Sequence, residues 1–271
     1  MELHVPVSSI ACMIAAGVVA FAIPVVLLIL LRVKKKADYP PFVAGLVVFV
    51  LFALVLERLV HTLVLSSAAG ERIQSTPWLY ALYGGAMAGL FEETGRLLAF
   101  RTVLRRYQSR DVNALMYGAG HGGIEAAILL GVTSVNNVIY SVLLNLGKSD
   151  LLTGQVTGSA LEQLQGVFRE LATTPGWVFL MGMAERISAV ALHLGLSVLV
   201  WFAVKGKKPG LFILAILLHL AVDAVTVLLS GAGVPIPALE GILLVLAAAV
   251  DGLAWLVWRR ERDVEAAGEE E

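Results

Sequence analysis

Seven long apolar segments follow one another along the chain and determine its fold class. They span about residues 5–31, 42–66, 78–100, 112–146, 176–204, 210–230 and 237–258. A helix needs roughly 20 residues to cross the ~30 Å hydrocarbon core of a bilayer, and each segment reaches that length. Charged residues make up only 15% of the chain, against about a quarter in soluble domains. The sequence therefore predicts an all-α, polytopic transmembrane bundle of about seven helices, located in the cell membrane.

Basic residues are concentrated after the first, third, fifth and seventh segments. Fourteen of the 20 Lys and Arg residues lie at 32–36, 101–110, 205–208 and 259–262. These four connections share one side of the membrane, which the positive-inside rule assigns to the cytoplasm. We therefore expect the N-terminus outside, the C-terminus in the cytoplasm and the polar loop 147–175 outside. Within that loop, the residues around Leu161–Leu171 are predicted to form a short amphipathic helix.

The rest of the composition limits the domain organisation and the partners. The apolar segments recur from end to end, so we predict one membrane-embedded domain over residues 1–271, with an acidic, disordered tail over about 263–271. The only cysteine is Cys12, which excludes an intramolecular disulfide and a zinc site built from several cysteines. A net charge of −1 gives no indication of a nucleic-acid partner. The lipid bilayer is the expected surrounding.

A set of eight ionisable residues lies deep inside four of the segments. A charge at the bilayer centre costs about 2.5–3.5 kcal/mol on insertion scales, so such residues indicate function by default. The third segment contributes two glutamates and an arginine, and the next three contribute histidines and carboxylates. These residues are Glu92, Glu93, Arg96, His121, Glu125, His193, His219 and Asp223. Burial of such a set would not stabilise a bundle that is held together by packing alone. We therefore interpret these residues as a catalytic cluster.

Counting along the chain places the cluster at one depth. Glu92, His121, His193 and His219 each lie 9 to 12 residues from the nearest basic cluster, or roughly 14–18 Å at about 1.5 Å per helical residue. Four helices thus present polar groups near the midplane of the membrane. One shared site requires this arrangement, which random placement would seldom produce.

Helical spacing also predicts which side chains share a face. His121 and Glu125 are four residues apart, as are His219 and Asp223, so each pair lies on one side of its helix. Glu92 is adjacent to a second glutamate, and neighbouring residues project about 100° apart. We expect one glutamate to face the reaction centre while the other pairs with Arg96 or with a neighbouring helix.

Carboxylates and imidazoles gathered at one depth suit the hydrolysis of an amide bond by an activated water. A glutamate can act as the general base, and histidines can protonate the leaving amine or stabilise an oxyanion. The same groups bind Zn²⁺, although the chain has no HExxH motif. A zinc site would have to be assembled across helices from Glu92, His121, His193 and His219. A third interpretation is a proton-coupled transporter with these groups as its relay.

The ordered motifs resemble the YhfC family of intramembrane proteases. The string FEETGR is followed by YxxxH (Tyr117 to His121), HxxxE (His121 to Glu125), a solitary His193 and HxxxD (His219 to Asp223), over about residues 78–230. The set is also similar to that of the CAAX prenyl proteases and their bacteriocin-processing relatives, marked by EExxxR, FxxxH and HxxxN or HxxxD. It is similar too to PrsW-type proteases, marked by EExxK, FxxxE and HxxxD.

The resemblance implies a glutamic-type intramembrane endopeptidase. Glu92 would activate the water, Glu93 would support it, and Arg96 would hold both glutamates ionised, while the remaining residues of the cluster complete the site. The resemblance implies no certain cofactor and leaves zinc as the candidate metal. The expected substrate is a membrane protein or a lipidated peptide. Two departures are evident, since the arginine is one residue closer to the glutamates than in the CAAX type and Asp223 stands where Asn is frequent.

Ionisable residues at other depths are predicted to lie outside the site. Glu185 and Arg186 fall in the outer half of the fifth segment, and Glu57 and His61 fall near the outer end of the second. We interpret the first pair as structural and the second pair as structural or interfacial. Asp251, in the last segment, receives no role from the sequence.

Overall fold

The computed structural model describes residues 3–269 of the chain, with side chains as far as Asp263. These residues form helices, a single 3-10 turn at Arg105–Tyr107 and no strand. The helices are α1 (Val7–Lys35), α2 (Tyr39–Leu65), α3 (Ala68–Ser75), α4 (Pro77–Arg101), α5 (Val112–Asn145), α6 (Asp150–Thr153), α7 (Ser159–Thr173), α8 (Gly176–Lys205), α9 (Pro209–Gly231) and α10 (Ile236–Glu269).

Among the described residues, six helices are long and apolar enough to cross a membrane, namely α1, α2, α5, α8, α9 and α10. Helix α4 has 25 residues, which is sufficient length, but its two glutamates and two arginines reduce its apolar character. Together with α4, these helices correspond to the seven predicted segments. The predicted all-α membrane fold is confirmed, and the chain is a multi-pass membrane protein. The direction of its termini stays a prediction.

Prolines mark the starts of three helices, and two helices contain π-helical turns. Prolines occupy the first turns of α2, α4 and α9, where a missing N–H loses no helical partner. Helix α5 runs without interruption over Val112–Asn145. It is π-helical over Ala127–Val132, and α2 is π-helical over Val50–Glu57. Such π-helical turns are frequent at functional sites.

Contacts divide the described chain into two compact units, where the sequence predicts one membrane domain. The first unit contains the chain up to Ile23 together with Ala126–Arg186, and the second contains Pro24–Glu125 and the chain from Ile187 onward. The core of the first unit includes Val5, Met13 and Phe168, the last from α7. Helix α7 confirms the short helix predicted in the polar loop.

The second unit is organised around α8. About 72% of the most apolar stretch of α8 is buried, and its Trp201 and Phe202 pack in the core with Phe100 of α4. Helices α4 and α9 approach closely at two glycines. A Cβ on Gly85 would lie 2.5 Å from the carbonyl oxygen of Leu220, so only glycine permits this contact.

The four basic clusters meet at one end of the second unit, as the topology prediction requires. Arg110 donates to the carboxylate of Asp38 at 3.1 Å, which joins the first connection to the second. Lys205 contacts Asp111 at 2.8 Å, and Lys208 contacts Glu261 at 2.6 Å. These ion pairs connect all four clusters.

The C-terminal residues differ from the sequence prediction. Helix α10 continues through Glu269, so residues 263–269 are helical in the structure, although their acidic composition predicts disorder. Residues 270 and 271 of the predicted tail lie outside the described residues.

Candidate active site

All eight residues of the predicted cluster lie in the second unit, on α4, α5, α8 and α9. Glycines hold these helices close enough for the side chains to meet. A Cβ on Gly118 of α5 would lie 2.9 Å from the carbonyl oxygen of His193 on α8. On α4, a Cβ at Gly89 would lie 2.8 Å from the carbonyl oxygen of Ile216 on α9. The cluster therefore depends on helix contacts that larger residues would prevent.

Glu93 is held in a fully buried ion pair. Arg96 donates through Nη1 to the carboxylate of Glu93, and neither side chain is exposed. His219 contributes a second contact, with its Nδ1 2.9 Å from Oε1 of Glu93. The Nη2 of Arg96 lies 3.1 Å from Nδ1 of His193. A buried charge is tolerated only when it is paired and hydrogen-bonded in this way. The ion pair of Glu93 and Arg96 therefore holds the histidines of α8 and α9 in place through these contacts.

Glu92 has different partners from its neighbour. Its Oε2 lies 2.8 Å from Nε2 of His121 and 3.9 Å from Nδ1 of His193. Its side chain is 10% exposed, whereas that of Glu93 is 0% exposed. The two adjacent glutamates thus separate as the 100° rotation between neighbours predicts, with Glu93 on the arginine and Glu92 on the histidines.

The remaining carboxylates each contact a histidine of the cluster. Oε2 of Glu125 lies 2.6 Å from Nε2 of His193, and Oδ2 of Asp223 lies 3.6 Å from Nε2 of His219. The Asp223 side chain is 35% exposed, more than any other in the cluster. The site therefore opens at α9, on the side of Asp223.

Comparison with known proteins agrees with this geometry. A family model described as YhfC intramembrane metalloprotease matches residues 19–244. The chain belongs to the YhfC family. A relative, the uncharacterized membrane protein YhfC of Bacillus subtilis (strain 168), is 35% identical over 244 residues, which cover 89% of this chain and 93% of that protein. No solved structure matches significantly. Membership of this family makes the chain an intramembrane peptidase.

The YhfC family description implies a metal, and three side chains of the cluster match a metal site by type. One ligand atom from each of Glu92, His193 and His219 lies within 4.8 Å of the others, and all three residues are buried. Two histidines and a glutamate are a known catalytic zinc set. His121, expected among the ligands, lies outside this three-residue group and contacts Glu92 instead.

The hydrogen bonds around His193 limit how well this group fits a metal. A guanidinium can only donate, so Nδ1 of His193 accepts from Arg96 and its ring proton lies on Nε2, toward Glu125. Neither ring nitrogen retains a lone pair for a cation. His193 could bind a metal only after it gave up one of these contacts, so the group fits in type and spacing but not in hydrogen bonding.

A second polar network in this YhfC protein includes a residue that the sequence analysis missed. His61 lies 3.0 Å from Glu57 through Nε2 and 2.9 Å from the hydroxyl of Tyr83 through Nδ1. The i,i+4 spacing of Glu57 and His61 could have predicted their contact. Nothing in the sequence indicated that Tyr83, on another helix, would join them. Glu57 is within electrostatic range of Glu92, so this network borders the site.

The other ionisable residues that the sequence analysis set aside lie elsewhere. Glu185 and Arg186 contact each other, and both are in the first unit. Asp251 of α10 packs against α8, where a Cβ on Gly195 would lie 2.5 Å from its Oδ1.

Replacing Gly45 by alanine is expected to destabilise the protein, because this glycine supports the helical turn that carries His121. An added Cβ would lie 2.3 Å from the carbonyl oxygen of Tyr117 and 2.7 Å from the backbone nitrogen of His121. Overpacking of this kind costs about 1–3 kcal/mol. In Gly241→Ala the Cβ meets nothing within 4 Å, and the helix gains about 0.5–1 kcal/mol. Thermal unfolding in detergent should show a lower midpoint for the first variant only.

Proposed function

We propose that this chain is an endopeptidase that hydrolyses peptide bonds of membrane-associated substrates with water activated by Glu92. The separation of the two glutamates carries the proposal. Glu93 contacts Arg96 and His219, whereas Glu92 faces His121 and His193, and its side chain is 10% exposed against 0% for Glu93. A general base needs a carboxylate oxygen within hydrogen-bond reach of its water. Both oxygens of Glu93 accept from Arg96, whereas Oε2 of Glu92 contacts His121 and its other oxygen is assigned to the water.

In this mechanism Glu92 takes a proton from water as the water oxygen attacks the scissile carbonyl carbon. His121, at 2.8 Å, fixes one carboxylate oxygen and leaves the other for the water. The proton taken up by Glu92 then passes to the leaving nitrogen as the C–N bond breaks, which yields a carboxylic acid and an amine. Atoms and protons balance without an added reactant.

The histidine of α9, His219, suits the oxygen that becomes negatively charged during attack. His219 is oriented by Glu93 on one ring nitrogen and faces Asp223 with the other. When both of its ring nitrogens carry protons, His219 would donate from Nε2 and stabilise the oxyanion. Arg96 supports the arrangement because it contacts both Glu93 and His193. These proposed roles agree with the similarity of the motifs to those of CAAX and PrsW-type proteases.

The substrate class follows from where the site lies. The cluster is on membrane-spanning helices, and its exposed member is Asp223, so a substrate must present a peptide bond within the bilayer or at its surface. A membrane protein or a lipidated peptide meets this condition. The family description supports peptide hydrolysis over the transporter alternative.

The proposal is tested by incubating the purified chain, in lipid vesicles, with a library of transmembrane and lipidated peptides. Mass spectrometry of the products identifies each cleaved bond. We expect cleavage by the wild-type protein at bonds within or next to the apolar segment. Solute flux across the vesicle membrane without any cleaved peptide would support the transporter instead.

A zinc-dependent mechanism is the second candidate, supported by the proximity of Glu92, His193 and His219. A bound Zn²⁺ would act there as a Lewis acid that activates water. In that case Glu92 would be a ligand, and Glu125 or Asp223 would remain to accept the proton. The competing hydrogen bonds of His193 favour the metal-free mechanism.

Removal of metal is therefore expected to leave cleavage intact. After dialysis against a strong chelator, the purified protein should hold far less than one zinc per chain and should cleave within about twofold of its original rate, because the base is Glu92 itself. Elemental analysis and the peptide assay on the same sample make the measurement. One zinc per chain, lost together with activity and restored with it, would establish the second candidate.

A further inference from the structure

Three buried polar atoms beside Glu92 have no hydrogen-bond partner in the described structure. They are Nε of Arg96, the hydroxyl of Tyr117 and Nδ1 of His121, and each of these residues is 0% exposed. Buried polar atoms are nearly always paired, either with protein or with an ordered water. Three such exceptions on neighbouring side chains point to a polar partner beyond the described protein atoms.

The three side chains are neighbours. The guanidinium carbon of Arg96 lies 5.8 Å from the centre of the Tyr117 ring. The rings of Tyr117 and His121, one helical turn apart on α5, are stacked with their centres 5.9 Å apart. The Tyr117 hydroxyl is also within electrostatic range of Arg96, Glu93 and Glu92. A small polar molecule between them would therefore touch the structure around the proposed base.

The hydrogen-bonding capacities of the three atoms complement those of one water molecule. The other guanidinium nitrogens of Arg96 are used by Glu93 and His193, so its Nε–H is a spare donor. A tyrosine hydroxyl can donate or accept, and a neutral imidazole nitrogen can accept. A buried water makes about three hydrogen bonds to groups that are otherwise unpaired. Here it would accept from Arg96 and Tyr117 and donate to His121.

We propose that a buried water bridges Arg96, Tyr117 and His121, and that Tyr117 is thereby a positioning residue for the base. A water that donates to Nδ1 of His121 places the ring proton on Nε2. That proton points at Oε2 of Glu92, 2.8 Å away, and holds the carboxylate in one orientation. This inference rests on the role of Glu92 proposed above, and it assigns to Tyr117 a function that its burial in the core does not suggest.

The test is Tyr117→Phe, which removes one unpaired oxygen and keeps the ring. Removal of a residue that orients a functional side chain from behind typically lowers activity about 10- to 100-fold. We expect a decrease of this size in kcat, with KM nearly unchanged. The thermal midpoint should not fall, because no hydrogen bond to protein is lost. A merely structural tyrosine would show the reverse, with a lower midpoint and an unchanged kcat.

A second readout does not depend on activity. In protein labelled with ¹⁵N-histidine, the ring nitrogen shifts report which nitrogen carries the proton, and a His121→Gln sample assigns the signals. We expect the Nε2–H form of His121 in the wild type and a growing Nδ1–H form in Tyr117→Phe. Tyr140→Phe is the matched control, because Tyr140 packs against Phe168 in the first unit and should change neither signal.

Two results would overturn the inference. One is the Nδ1–H form of His121 in the wild type, and the other is an identical tautomer in the wild type and in Tyr117→Phe. If the wild-type protein cleaves no peptide at all, the function proposed for Glu92 fails. The tautomer measurement would still decide whether Tyr117 controls His121.

Discussion

Glu92→Gln is expected to lower the rate of peptide cleavage about 10²- to 10⁴-fold while the protein still folds and inserts. The amide nearly matches the carboxylate in shape, but it cannot take a proton from water, and general-base catalysis contributes rate factors of that order. The amide oxygen can still accept from His121, so the contact at 2.8 Å is retained. The measurement is the initial rate in vesicles, with circular dichroism and the thermal midpoint recorded on the same preparations.

Glu185→Gln is the matched control for that variant. Glu185 lies in a membrane-spanning helix and contacts an arginine, but it belongs to the first unit and its side chain is 40% exposed. We expect its cleavage rate to stay within about twofold of wild type, since surface substitutions away from a site have small effects. Equal rates for Glu92→Gln and the wild type would eliminate the glutamate mechanism, whatever the metal content.

The second large effect is expected in Arg96→Met, which should lower the free energy of unfolding by about 3–5 kcal/mol. Arg96 and Glu93 form an ion pair with 0% exposure on both side chains. Removal of one partner leaves an uncompensated buried charge, and losses of that size are typical of such changes. Methionine fills much of the same volume, so the loss reports the charge rather than a cavity. Unfolding in a denaturing detergent, followed by circular dichroism, provides the measurement.

A double mutant separates the charge from packing. In Glu93→Gln combined with Arg96→Met, no unpaired charge remains, and the glutamine oxygen can still accept from His219, which lies 2.9 Å from Glu93. We expect the double mutant to be more stable than Arg96→Met alone. Arg186→Met is the control, because its partner Glu185 is partly exposed and such pairs contribute about 0–1 kcal/mol. Additive losses in the double mutant would contradict the buried-pair account.

The sequence determined the fold class and predicted which side chains gather in one cluster. Apolar runs long enough to span a bilayer leave few alternatives to helices, because backbone groups in lipid must pair within their own segment. The shared depth of Glu92, His121, His193 and His219 followed from the 1.5 Å rise per residue counted from the basic clusters. The structure brings these four together, and their catalytic roles stay predictions.

Only the tertiary structure decided which partner each side chain has. Spacing along α4 could place the two glutamates on different faces, but it could not say that Arg96 and His219 belong to Glu93 while His121 belongs to Glu92. The same holds for the contact between His61 and Tyr83. Apart from Glu93 and Arg96, which share α4, these pairs join residues on different helices, and the rotation and approach of each helix depend on packing at glycines that no local pattern encodes.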